Sequence, residues 1–153
     1  MATGWGRRVR VDMQKYVTNN TPASSTAWFA GLDTNTTVND DGSNVTAGTT
    51  EPSSTNGYAR QTISWGTPAA GSLDATVPAL NDTAISWTSS GGGFSTGATT
   101  LKTVTIWNSA TLSNVAESFF VGRAAISVPQ AVNAAGITLT IAISGLSMGL
   151  VSA

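Results

Sequence analysis

Cysteine and histidine are both missing from this chain, and charged residues are scarce. Without cysteine there is no disulfide framework, no CxxC redox pair, no thiolate zinc site and no cysteine nucleophile. Without histidine the Ser-His-Asp and Cys-His arrangements go too, together with His-based metal sites. What remains for catalysis is carboxylate chemistry, and a glycosidase, for example, needs two acids flanking a cleft. There are eight acids. Asp74 and Asp82 sit in turn-like contexts, Glu51 precedes Pro52, Glu117 opens a strand candidate, and no spacing pairs them. They are expected to be solvated loop acids, so no enzymatic activity, metal or cofactor is expected.

The charged share is 10%, against roughly 25% in ordinary domains, and Ser, Thr, Asn and Gly fill the difference. A formal net charge of −1 gives little repulsion between copies. Lys15 and Lys102 are the only lysines, although free surfaces favour lysine and interfaces deplete it. The surface is therefore expected to be shared in part with neighbouring subunits. No window nears the roughly 18 apolar residues of a membrane span. Arg7, Arg8 and Arg10 run into Asp12, Gln14 and Lys15 instead of an apolar signal core. Folding in the cytosol, with no membrane partner, is the expectation.

At 153 residues the chain makes one domain, residues 1–153, able to bury about two-thirds of its unfolded surface. Residues 1–20 read as an arm and a short helix, because Val9, Met13, Tyr16 and Val17 recur at helical spacing over 6–20 before Asn19-Asn20-Thr21-Pro22 stops the pattern. From Thr26 the signals are strands between turn clusters: 27–32, 58–65, 73–77, 84–88, 103–107, 119–128 and 137–143. The strict alternation of Ile137, Leu139, Ile141 and Ile143 with polar or small residues places the last of these against the core. A single all-β sandwich follows, with jelly-roll or immunoglobulin-like connectivity open. Residues 33–57 are a long polar excursion with little to bury, expected to be a surface loop, and 144–153 read as a C-terminal tail. Asn39, Asp41 and Gly42 resemble a calcium loop only faintly, since Thr37 and Gly48 would stand where its aspartate and glutamate belong; a turn is expected.

Of the five tryptophans, Trp28, Trp65, Trp87 and Trp107 fall in strand candidates and are assigned to the core. Trp5 lies outside the predicted domain. With Arg7, Arg8 and Arg10 it forms the candidate attachment site for a partner protein, as aromatics and arginines carry interface energy. Three arginines are too few for a nucleic-acid footprint.

The segment Asn56-Gly57-Tyr58-Ala59-Arg60-Gln61-Thr62-Ile63-Ser64-Trp65-Gly66 resembles the GGGYARQ-type motif of a broad family of small bacteriophage structural proteins, labelled tail fibre or head decoration proteins. Ala27-Trp28-Phe29-Ala30-Gly31-Leu32, Thr105-Ile106-Trp107-Asn108 and the stretches 120–124 and 132–141 are similar to family segments, so the likeness covers most of residues 6–143. If Tyr58 to Trp65 were one strand, Tyr58, Arg60 and Thr62 would share a face opposite Ala59, Gln61, Ile63 and Trp65. Gly57, Tyr58, Ala59, Arg60 and Gln61 are accordingly expected to be structural, with Arg60 or Gln61 satisfying loop carbonyls inside the fold.

The resemblance implies a virion protein. No stalk repeat or coiled coil of the sort a fibre needs is present, which turns the expectation to a capsid cement (decoration) protein. It would bridge subunits of the major capsid protein on the capsid surface as a dimer or trimer. The alternatives are a tail or fibre component recognising a host surface glycan, and a free β-sandwich binding module or enzyme.

Overall fold

A computed structural model describes residues 4–5, 27–66, 79–94, 100–114 and 119–148. The expected helix over 6–20, the strand at 73–77, Arg7, Arg8, Arg10, Asp74 and Glu117 lie outside the described residues. Within them the chain is all-β, with a single 3-10 turn at Thr55–Gly57.

The strands are β1 (Gly4–Trp5), β2 (Trp28–Asp33), β3 (Gln61–Ile63), β4 (Ala79–Leu80), β5 (Ile85–Thr88), β6 (Leu101–Trp107), β7 (Phe120–Gln130), β8 (Thr138–Ile141) and β9 (Ser147–Met148). An antiparallel five-stranded sheet has the order β1-β7-β6-β2-β3, and β4-β9 and β5-β8 form antiparallel pairs. β6 is central because its run Leu101-Lys102-Thr103-Val104-Thr105-Ile106-Trp107 can be covered on both faces, and from Thr103 to Trp107 every residue is buried. One face joins Ala30, Leu32, Ile63, Val104, Ile106 and Val121 of the sheet to Ile85 and Trp87 of β5, with Leu139 and Ile141 of β8 packed against them. The other face carries a second core of Val38, Val45, Trp107 and Phe120.

That second core corrects the reading of residues 33–57. The excursion is folded over the outer face of the sheet, with Val38 and Val45 as its apolar plugs. Polar side chains hold its turns: Asn44 accepts from Asn39 N–H (2.8 Å) and donates to the Thr37 carbonyl (2.9 Å). Gly42 closes a turn onto Asn39 at φ +71°, where a Cβ would lie 2.8 Å from the Phe120 ring. Only glycine meets both demands.

Other departures have local causes. β7 runs on past the expected end at 128 and through Pro129, because the ladder bulges there: Thr103 pairs with Ala125 and Leu101 with Gln130, so Lys102 alone stands opposite Ile126–Pro129. Trp5, placed outside the domain from sequence, has its backbone in the sheet, paired with Gly122. The start of the expected tail is anchored, since Leu146 is buried and Ser147–Met148 pair with β4. Ile143, expected in the core, is 62% exposed. β8 ends at Ile141, and Ser144, at φ +62°, turns the chain to donate to the Asn81 carbonyl (2.9 Å).

Candidate functional site

The motif residues Gly57 to Gln61 lead into β3, where Tyr58 packs in the apolar core shared with β5 while Arg60 reaches the long loop beside Trp107 on the opposite face of the five-stranded sheet. Tyr58 and Arg60 are buried, Ala59 is exposed, and Ile63 is the next buried residue. The single strand expected over 58–65 is thus a short β3 preceded by an irregular approach. The facing pattern slips between Arg60 and Ile63, and Thr62 turns out instead of joining Tyr58 and Arg60.

Arg60 is bonded at every nitrogen. Nε and Nη2 donate to the two Glu51 carboxylate oxygens at 2.8 and 2.7 Å, a bidentate geometry that lysine cannot reproduce. Nη1 donates to the carbonyls of Ser109, Thr111 and Asn114, each at 3.2 Å. The guanidinium also lies over the Trp107 ring, 3.9 Å from its centroid. Gln61 instead donates to the carbonyl of Ala59 at 3.0 Å.

Tyr58 completes the cluster. Its hydroxyl donates to Glu51 Oε1 (3.0 Å) and accepts from Leu32 N–H (2.8 Å). Burial pushes its pKa well above the usual tyrosine range, and the neighbouring Glu51 charge adds to this. The Ala59 carbonyl accepts from Trp87 Nε1 at 3.0 Å. Gly57 is at φ +82°, and Asn56, before it, donates to the Gly93 carbonyl at 2.7 Å.

Glu51 is the residue that sequence reading misplaced. Expected as a solvated loop acid, its side chain is fully buried in the ion pair with Arg60. Asp33 is sealed as well, at 0% exposure. It accepts from Asn35 N–H (2.7 Å) and the Thr50 hydroxyl (2.8 Å), while Thr34 N–H donates to the Thr50 carbonyl (3.0 Å). Asp33 and Thr50 thereby clamp the two ends of the loop. Burial raises the Asp33 pKa from 3.8 to about 6, with a smaller contribution from Glu51. The available signal for Glu51 was Arg60 itself: an arginine expected inside the fold needs a counter-charge.

The oxygens of these two acids face the protein's own donors, so the cluster is built to hold the loop to the sheet. Gly31 permits it, since a Cβ there would lie 2.6 Å from Glu51 Oε1 and 2.7 Å from Thr105 Oγ1. Among the described residues no group of three or more Asp or Glu is placed to hold a metal ion. None of their helices is long and apolar enough to cross a membrane.

The proposed attachment residues are not brought together within the described residues; of the four, the backbone of Trp5 alone is placed, at the edge of the sheet. Trp87 and Trp107 are in the two cores. Trp28 and Trp65 are half-buried and meet edge to face at 6.0 Å. No protein-family model matches the chain, and no curated protein matches it.

Proposed function

We propose that this chain is a non-enzymatic structural protein of a bacteriophage virion, a capsid cement protein that sits on the capsid surface and bridges subunits of the major capsid protein. The observation that carries this reading is where the few charges go. Asp33, Glu51 and Arg60 are buried, and Arg123 is paired with Asp40 at 2.8 Å. Among the described residues, a chain already poor in charge therefore presents mainly hydroxyls and amides, which suits surfaces covered by neighbours better than a free monomer. The resemblance of residues 56–66 to the phage motif points the same way, and the motif's buried lock gives it a structural purpose. The five-stranded sheet and the β5-β8 pair are read as the two layers of a β-sandwich, jelly-roll or immunoglobulin-like in connectivity.

Attachment is assigned to the arm, through Trp5, Arg7, Arg8 and Arg10. Deleting the arm would strip β1 from the sheet, so the test substitutes side chains: Trp5→Ala combined with alanine at the three arginines. The expected result is a protein that melts like wild type but no longer co-sediments with capsids lacking it. Wild-type protein that fails to bind such capsids would overturn the reading. A second reading, a tail component that binds a host glycan, draws on the half-buried Trp28–Trp65 pair, and copy number separates the two. Cement is present at levels comparable to the major capsid protein, a tail component at far fewer.

A further inference from the structure

β8 has β5 on one side, and among the described residues no strand pairs with its other edge. The alternation of the ladder determines what that edge offers. Ser89 N–H donates to the Ile137 carbonyl at 2.9 Å, which makes Ser89 and Ile137 a hydrogen-bonded pair. By the two-residue period Trp87–Leu139 and Ile85–Ile141 are hydrogen-bonded pairs too, and Thr88–Thr138 and Ser86–Thr140 fall between them. The hydroxyl contacts Ser86–Thr140 and Thr88–Thr138, both 2.9 Å, agree, because side chains approach most closely at the non-hydrogen-bonded positions. The backbone N–H and C=O of Thr138 and Thr140 therefore point away from β5.

Among the described residues no strand meets them there. The edge borders a groove of about 360 Å³ whose opposite wall is Ile126, Ser127, Val128 and Gln130 of the bulged end of β7, with Val104 also lining it. Val128 is 65% exposed.

Exposed edges are ordinarily guarded by charges, prolines or a covering segment. No charged side chain occurs anywhere from Ala124 to Ala153, and Thr138–Ile141 is rich in β-forming residues. Absence of charge has a particular meaning for self-pairing. When a strand meets its own copy about a two-fold axis, any charge beside the axis faces a like charge, so an uncharged edge is the kind that two copies can share.

We propose that this edge is an interface with a second copy of the chain, β8 against β8 in antiparallel pairing about a two-fold axis at Leu139. Thr138 of one copy then stands opposite Thr140 of the other, and each such pair exchanges its free N–H and C=O groups. The inner-face Leu139 and Ile141 of the incoming strand enter the groove beside Ile126, and the result is a continuous β5-β8-β8-β5 sheet. The proposal does not depend on the virion reading.

Analytical ultracentrifugation over a concentration series tests it. Wild type is expected to form a concentration-dependent dimer. Thr138→Lys with Thr140→Lys, both at exposed positions, sets lysine against lysine across the axis and should weaken association by about tenfold or more. Thr138→Lys with Thr140→Glu sets lysine against glutamate and should retain it. Thr140→Pro removes the outward donor and the hydroxyl contact with Ser86 but no backbone hydrogen bond to β5, and should leave a folded monomer. A wild type that stays monomeric at every concentration, a larger closed oligomer, or equal weakening by the two double variants overturns the proposal. If either double variant melts early, Thr140→Pro decides: dimerisation at wild-type strength overturns the interface, and its loss supports it.

Discussion

Arg60 and Glu51 form their salt bridge fully buried inside the protein, and that sets what their replacement costs. Removing one partner leaves an uncompensated buried charge, so Arg60→Ala is expected to lose about 3–5 kcal/mol in urea denaturation, with Arg60→Lys recovering little of it. Replacing both, Arg60→Met with Glu51→Leu, is expected to recover much of that loss, because two desolvated charges go with the bond between them. Asp33 gives the opposite pH dependence from an ordinary salt-bridged acid. Its folded-state pKa of about 6 lies above the 3.8 of the free side chain, so the native state binds the proton more tightly than the unfolded chain does. This contribution to stability is fully present below about pH 4, declines as pH rises to about 6, and amounts to at most about 3 kcal/mol. Asp33→Asn should remove that decline when unfolding is measured across the same range. Gly31→Ala should destabilise across the whole of this pH range, since its added methyl strikes Glu51 and Thr105.

At the scale of elements, the loop from Thr34 to Thr50 behaves as a cover fastened at its ends. Limited proteolysis followed by mass spectrometry should find residues 33–57 resistant in wild type and cut early in Arg60→Ala, because the Glu51 anchor is then released. Early cutting of wild type within this loop would show that the cover is not fastened. The contrast explains what was legible in the sequence. β5, β6 and β8 were readable because each alternates over at least four residues, and β2 because Ala27 to Leu32 is a short apolar run between polar stretches, while β1, β4 and β9 are two residues long and carry no period. The loop was misjudged because its burial rests on just Val38 and Val45, with the remaining order supplied by side-chain amides bonded to backbone. The lock was half legible: Tyr58 and Arg60 stood out within the motif. Their partners did not, since Glu51 reads as a loop acid beside Pro52, and the carbonyls that Arg60 binds lie 49 to 54 residues away in sequence.

Over the whole molecule, the central sheet separates two cores of unequal make-up. The inner one joins five-stranded sheet to β5-β8 pair and is apolar; the outer one is small and fringed by buried threonines, acids and an arginine. Drawing charge into the outer core leaves the chain with two very different ends: an arm carrying three arginines, and a stretch from Ala124 onward with no charged side chain. Dissolved ions act on these ends unequally. At 0.15 M ionic strength the Debye length is about 8 Å, and it shrinks to about 3 Å at 1 M. Added salt should therefore loosen any attachment made by Arg7, Arg8 and Arg10 while leaving pairing through β8 intact. A salt titration that released the protein from its partner as dimers would show both ends at work in one experiment.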